Sequence, residues 1–282
     1  MSFGGSVHAL SAYLRCKWLS ITNRLSRSPL TKIGGPVVSL TSYSSRIRTV
    51  HLTIESIARG ARRPSRLILW LDEVNVVNDP TPGLKRLIRR GLEIRLCKNY
   101  GPHKKYFPFV CSETRFDVPL VTADDDVLYP TYWLRDLCSA NAKDPQMIHC
   151  FRARVMSFAG GRLSSYAEWQ LCETQRPMLC NVAIGTSGII YPPRFLAQLK
   201  RAGEDFSAIC PRADDLWLHV QELRAGFKVR QVRARALLFP FIPGTQKAAL
   251  WNCNIDGGEN DAQIRATYDD KDLVALREEQ WA

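Results

Sequence analysis

The sequence predicts a single α/β domain on a mainly parallel central sheet flanked by helices, with a basic amphipathic segment ahead of it. Three observations carry this. Short apolar runs sit between turn signals, as strands buried on both faces do. Stretches with three- and four-residue apolar spacing alternate with them. Several runs end abruptly in acids, above all residues 118–130, VPLVTADDDVLYP. Strand, helix, strand at this cadence implies right-handed crossovers and parallel pairing. The expected organisation is a segment and linker over 1–35, one domain over 36–245, and a tail over 246–282 packed on that domain.

Taken in order, residues 6–28 put Leu10, Tyr13, Leu14, Trp18, Ile21 and Leu25 at helical spacing, with Arg15, Lys17 and Arg24 largely off that stripe. A basic amphipathic helix carrying Trp and Tyr is the pattern of a helix lying in a membrane interface; packing on the domain is the alternative. Residues 28–36, SPLTKIGGP, read as a linker. Residues 37–43, VVSLTSY, are a first strand running into a polar loop. Ile47 to Arg59 has helical spacing, with Pro64 as a stop. Residues 66–71, RLILWL, form a second buried strand that ends at Asp72 and Glu73. Pro82 to Arg90 is a short basic helix closed by Gly91, and residues 92–96 alternate as a half-exposed strand should. A helix over 103–114 leads to the acid-terminated strand. Helix follows over 132–142 and strand over 147–151, and residues 157–180 are loop-rich. Residues 181–191 hold a glycine-bearing turn that runs into Ile189 and Ile190. Asp214 opens a helix through Ala225, Gly226 stops it, and a strand resumes at 227–229. Beyond Pro243 the chain is mostly polar and no element is legible.

With 282 residues, 45% hydrophobic and 23% charged, the chain has ample length for a real core and ordinary globular composition. No apolar stretch approaches the roughly 18 to 20 residues that span a bilayer, and the N-terminus lacks the apolar core of a signal peptide. Nine cysteines without CxxC or Cys/His metal spacing read as reduced thiols in a cytosolic protein. The formal charge of +12 calls for a polyanionic partner: nucleic acid, anionic lipid or a phosphorylated substrate. It is uneven, because no acid precedes Glu55 while Arg15, Lys17, Arg24, Arg27, Lys32, Arg46 and Arg48 all do. That asymmetry marks the N-terminus as a contact surface.

Three consecutive carboxylates, Asp124, Asp125 and Asp126, repel one another unless a cation sits among them. Mg2+ or Mn2+ takes oxygen ligands, with one or two protein carboxylates plus substrate phosphates completing the shell. Ligands of open α/β sheets bind at the carboxyl ends of strands, where these aspartates fall. An acidic turn or a helix N-cap is the plainer alternative. Asp72, at another strand end, is placed to accept hydrogen bonds from a base or ribose, and Lys104 and Lys105 to pair with phosphates. Asp214 and Asp215 open a helix; capping explains one aspartate there, and a general base at a cleft edge explains a second.

These residues add up to a resemblance. Residues 122–126, TADDD, look like the DXD region of nucleotide-sugar glycosyltransferases with the GT-A fold. Residues 214–229, DDLWLHVQELRAGFKV, are similar to the acidic-pair helix of the large inverting family of such enzymes, where a glycine closes the helix and a short strand follows. Residues 38–43, the strand ending in Asp72, and residues 148–153 also resemble bacterial members that build surface polysaccharides or glycolipids. The resemblance covers about residues 36–230. It implies a single GT-A, Rossmann-like domain in which Asp126, with Asp124, meets a Mn2+ or Mg2+ ion and the sugar diphosphate. Thr41, Ser42, Tyr43, Arg46 and Asp72, together with Lys104, Lys105, Asp124 and Asp125, would hold the nucleotide sugar. Asp215 would be the catalytic base with Asp214 its neighbour, and Gly185, Thr186, Ser187, Gly188 and Trp217 would border a glycan or lipid-linked acceptor.

The sequence departs from the family in three ways. The usual Glu-Asp pair is Asp-Asp here. The QxxRW motif of processive synthases is absent, which implies transfer of single sugars. The family's C-terminal metal-binding histidine has no match, since all five histidines precede residue 220; Asn254, Asp256 or Asp261 are the candidates for its place. The expected setting is cytoplasmic, at the inner face of the cell membrane and against its anionic lipid, with no nucleic-acid partner. A metal-dependent nucleotidyltransferase or phosphohydrolase is the alternative enzyme, and a non-catalytic nucleic-acid-binding module is suggested by charge alone.

Overall fold

The computed structural model of the chain describes residues 3–248 and 258–281. Helix α1 (Phe3–Leu25) comes first, then β1 (Val37–Thr41), α2 (Val50–Ala58), β2 (Arg66–Leu71), α3 (Val74–Asn78), α4 (Pro82–Ile88) and β3 (Leu92–Leu96). Next are α5 (Phe107–Ser112), β4 (Leu120–Ala123), α6 (Trp133–Lys143) and β5 (Ile148–Cys150). Short strands β6 (Ala153–Val155), β7 (Phe158–Ala159), β8 (Arg162–Leu163), β9 (Gln170–Leu171) and β10 (Asn181–Ala183) lead to β11 (Ile189–Tyr191). Helices α7 (Pro193–Ala202), α8 (Phe206–Ile209) and α9 (Asp214–Arg224) precede β12 (Val229–Gln231), and α10 (Glu259–Thr267) and α11 (Asp270–Trp281) follow it.

The central sheet has seven strands in the order β12-β5-β11-β4-β1-β2-β3. β4, β1, β2 and β3 pair parallel, as β12 does with β5; only β11 runs against its neighbours. The mainly parallel α/β expectation therefore holds. The β7–β8 ribbon and β9 fall in the stretch read as loop-rich, and β9 joins β6 and β10 on either side of it in a smaller antiparallel sheet, β10-β6-β9. The strands are too short, at two or three residues, for alternation to register.

β2 shows why the sheet is buried on both faces. Leu67, Leu69 and Leu71 enter one core with Ile54, Leu84, Leu87 and Leu134, while Ile68 and Trp70 enter the other with Phe109, Phe195 and Leu218. Successive side chains point to opposite faces, so a strand covered twice must be apolar throughout. Thr81 caps α4, with Pro82 in its first turn, and the helix is followed by Gly91 at φ +104°, as the sequence implies.

The polar tail forms helices after all. α10 and α11 pack on α9, with Tyr268 Oη 2.7 Å from His219 Nδ1, Arg224 paired to Asp272, and Glu279 accepting from the backbone N–H groups of Leu179 and Cys180. Ile264, Tyr268 and Leu276 enter the core and polar side chains carry the rest of the docking, so the apolar signal in the sequence is sparse.

The N-terminal helix packs on the domain too, against α2 and α4. Ala12, Leu19 and Asn23 are buried on that side. Asn23 donates to Glu55 Oε1 and accepts from Arg86, and Leu30 in the following segment is fully buried. Glu55, fully buried in the middle of α2, also holds Arg90 just after α4, so one carboxylate ties three segments. Glu55→Ala leaves the Arg90 guanidinium without its partner and is expected to cost about 3 to 5 kcal/mol in urea unfolding, because an uncompensated buried charge remains; a loss below about 1 kcal/mol would place Arg90 in water instead.

Candidate active site

β1, β2 and β4 run parallel and stop at the same edge, so residues 41–46, Asp72 and Asp124 to Asp126 meet where ligands of such sheets bind. The three aspartates do not share one environment. Asp125 turns inward: Ser42 Oγ donates to its Oδ2 at 2.5 Å, Arg46 Nη1 lies 3.0 Å from Oδ1, and Thr53 Oγ1 donates to its carbonyl at 2.8 Å. Asp126 takes Arg46 Nη2 at 3.1 Å and Gln246 Nε2 at 2.7 Å. Asp124 is the most open of the three and accepts from Lys105 Nζ at 3.0 Å. Arg46 thus clamps the loop after β1 to the acids after β4, while its guanidinium lies over the Tyr43 ring. Thr41 Oγ1 donates to the Trp70 carbonyl across the sheet.

The 3-10 turn Gly101–Lys105 reaches three places at once. His103 is buried between Tyr106 Oη, at 2.9 Å from Nδ1, and the Cys210 carbonyl, at 2.8 Å from Nε2, and stacks on Phe206. Burial pushes its imidazole down to about 4, so it is neutral at physiological pH. Lys104 Nζ lies 2.5 Å from Asp72 Oδ1. Lys105 Nζ lies 3.0 Å from Asp124 Oδ1 and 3.0 Å from Asp214 Oδ2. Burial works against the Lys105 charge, but Asp124, Asp214 and Asp215 more than offset it and hold its pKa well above the ordinary value.

On the other side, Asp214 and Asp215 open α9, where the helix dipole favours negative charge. Asp215 Oδ1 accepts from the Gly185 N–H at 3.1 Å, and a Cβ on Gly185 would stand 3.0 Å from Lys105 Nζ and 3.1 Å from Asp215 Oδ1. The glycine lets the turn approach both groups. Tyr129 Oη donates to the Thr186 carbonyl and accepts from the Asp124 N–H, joining the two loops. Trp133 Nε1 donates to the Ser187 carbonyl, and Gly188, at φ +89°, leaves room for that indole: a Cβ there would fall 2.4 Å from Nε1. Trp217 is not brought to this cluster. Its ring packs on Phe206 and lines a surface cavity with Gln198 and Arg201.

The carboxylates outnumber the cations, and their protonation reflects it. Burial, then the Asp124 charge, pushes Asp126 up to about 7 against the pull of Arg46. Burial, then the Asp214 charge, pushes Asp215 up to about 8 against the pull of Lys105. This excess of hard oxygen donors fits a divalent cation at Asp124 and Asp126. Among the described residues no three His, Cys, Asp or Glu side chains gather as a complete metal centre, whereas Mg2+-type sites use one or two carboxylates and complete their shell with substrate phosphates and water. Asn254 and Asp256 lie outside the described residues. Asp261 accepts from Ser165 Oγ and the Tyr166 N–H, capping a 3-10 turn.

No family model and no curated protein matches the chain. Among solved structures it is similar to GalNAc-T7 with UDP, GalNAc and Mn2+: TM-score 0.52, 11% identity, 83% of this chain and 48% of that one. The chain has the GT-A fold. S. aureus TarS 1-349 is matched at TM-score 0.44 and 13% identity over 70% of this chain and 57% of that one. CMP:2-keto-3-deoxy-manno-octonic acid synthetase with CTP is matched at 0.44 and 12% over 81% and 98%. The chain thus spans about half the length of the GalNAc-T7 and TarS chains.

His103, Tyr129, Trp133 and Gln246 were not singled out from sequence. Only His103 has a signal, as the neighbour of two lysines; Tyr129 and Trp133 act through backbone contacts, and Gln246 through a side-chain bond to Asp126 from 120 residues away, which no motif encodes.

Asp215 titrates near 8 in the folded chain, against about 3.9 for an exposed aspartate. Stability from this group is therefore fully present below about pH 4 and lost as pH rises through about 8. Asp215→Asn is expected to melt with the parent near pH 4 and above it at pH 8, by about 2 to 4 °C per kcal/mol relieved. A variant that melts lower at pH 8 would mean that Asp215 is stabilised, not crowded.

Proposed function

We propose that the chain is a nucleotide-sugar glycosyltransferase, moving a single sugar from a nucleoside-diphosphate sugar to a hydroxyl of a glycan or lipid-linked acceptor, with a divalent cation and with inversion. The observation that carries this reading is Lys105 Nζ, 3.0 Å from both Asp124 and Asp214. It brings the carboxylates suited to a sugar diphosphate within one ammonium of the pair suited to a base. The GT-A fold supports the same reading.

In this mechanism Asp72 and residues 41–46 hold the nucleoside. Arg46 and Lys105 offer positive charge to the diphosphate, and Asp124 with Asp126 would hold Mn2+ or Mg2+. When bound, the cation neutralises the diphosphate and stabilises the departing nucleoside diphosphate. Asp215 accepts the proton of the acceptor hydroxyl; its raised pKa makes it a stronger base than an exposed aspartate. The acceptor oxygen forms its bond to the anomeric carbon as the bond from that carbon to the phosphate oxygen breaks, and the electron pair leaves on the diphosphate. Asp214, held by Lys105, keeps its neighbour oriented, while the Gly185–Ser187 turn and Gly188 border the acceptor. Absence of the QxxRW motif supports one sugar per event. The setting is the cytoplasmic face of the cell membrane, in peripheral contact with anionic lipid, as in surface polysaccharide or glycolipid synthesis. No helix among the described residues is long and apolar enough to cross a membrane.

Steady-state kinetics separate the roles. Asp215→Asn is expected to lower kcat by about 10^2 to 10^4 with donor KM nearly unchanged. Asp126→Ala is expected to raise donor KM and the Mn2+ concentration needed for half-maximal rate. An Asp215→Asn enzyme within threefold of the parent kcat would remove the base assignment.

A further inference from the structure

Helix α1 has two faces, and the domain uses the less apolar one. Ala12, Leu19 and Asn23 are buried against α2 and α4, with Cys16 beside them. At about 100° per residue, Leu10, Leu14, Trp18, Ile21 and Leu25 fall within an arc of about 80° on the opposite side. These five are between 47% and 75% exposed, and Tyr13 is half exposed beside them. Such a contiguous apolar strip on one helix is a contact surface, unlike exposed residues scattered singly.

Its border is cationic. Lys17 and Arg24 flank the strip, Arg27 and Lys32 extend it, and all four are exposed. Arg59 comes up from the domain to lie over the Trp18 ring at 4.2 Å. Beyond Lys32 the fully exposed Ile33 adds another apolar side chain. No acid precedes Glu55, and Glu55 is buried and paired with Arg90.

We infer that this face of α1 docks on an anionic bilayer, with Leu10, Leu14, Trp18, Ile21 and Leu25 in the acyl boundary and Lys17, Arg24, Arg27 and Lys32 among the headgroups. The inference rests on the peripheral-membrane part of the proposed function and names the surface that makes the contact. An apolar strip edged by Lys and Arg with Trp and Tyr at its margins matches the layered chemistry of an interface. A second copy of the chain fits worse, since two such faces in contact would bring the same cations together. The contact is rigidly linked to the site: Arg15, on the same helix, donates to the carbonyls of Leu128 and Tyr129, just after the aspartates. Lipid contact therefore fixes how the cleft is presented to the membrane.

The test is co-sedimentation of the full chain with phosphatidylcholine vesicles, with and without phosphatidylglycerol. The chain is expected to bind the anionic vesicles at least tenfold more tightly, and less at high salt. Leu14→Ser with Ile21→Ser, both at exposed positions, should weaken partitioning at least tenfold with an unchanged melting temperature; Lys17→Glu with Arg24→Glu should abolish the lipid preference. If the parent binds neither vesicle, membrane contact itself is refuted, while the sugar-transfer reading, which this assay does not involve, stands. If the parent binds and the double Ser variant binds equally, the bilayer meets another surface and the assignment to α1 fails. A dimer in sedimentation equilibrium that the double Ser variant dissociates would give the face to a second copy and overturn the proposal.

Discussion

Lys105 carries its charge into a position where burial alone would strip it, and it stays ionised because Asp124 and Asp214 each stand 3.0 Å from Nζ. Those two aspartates belong to different ends of the fold, one following β4 and the other opening α9. Without the ammonium, the loop after β4 and the start of α9 would repel each other across the Gly185 turn. Removing one partner of a buried pair costs about 3 to 5 kcal/mol, so this arrangement is coupled to folding as well as to binding.

Its neighbours in sequence make that placement possible. His103, neutral and wedged between Tyr106 and the Cys210 carbonyl, fixes the turn against the loop that leads into α9. Lys104 points to Asp72. Three consecutive residues thus relate the acids after β2, the acids after β4 and the loop before the acids of α9. Arg46 does the same for the opposite flank by holding Asp125 and Asp126 together. Even so, Asp126 and Asp215 are left with raised pKa values, a state in which the folded chain retains protons that a cation or a basic substrate group would displace.

The parallel strands were legible because a strand covered on both faces must be apolar, and because Asp72 and Asp124 to Asp126 break off those runs at the sheet edge. The acidic pair of α9 was legible from its place ahead of a helix stopped by Gly226. Which carboxylates face inward was not: Asp125 reads like its neighbours, and only Ser42 and Arg46, some eighty residues away, decide it. The lysines were legible as charges, while the carboxylates that hold them, Asp72, Asp124 and Asp214, were not, because spacing does not show what compensates a charge. The stripe from Leu10 to Leu25 was visible, while the side of α1 that packs was hidden, being made by Ala12, Cys16, Leu19 and Asn23. The two C-terminal helices dock through Ile264, Tyr268 and Leu276 in the core and through the ion pairs and hydrogen bonds of Arg224, Asp272 and Glu279, so the apolar positions are few and spread among polar ones.

Binding of a nucleoside diphosphate to the carboxylate cluster is the central claim, and thermal melting with UDP, GDP, CDP and dTDP, each with and without Mn2+, tests it most directly. The account predicts that one nucleotide raises the melting temperature, that the rise depends on Mn2+, and that Asp126→Ala abolishes it while Asp215→Ala retains it. A folded protein that shows no shift with any of the four, with or without metal, would contradict it.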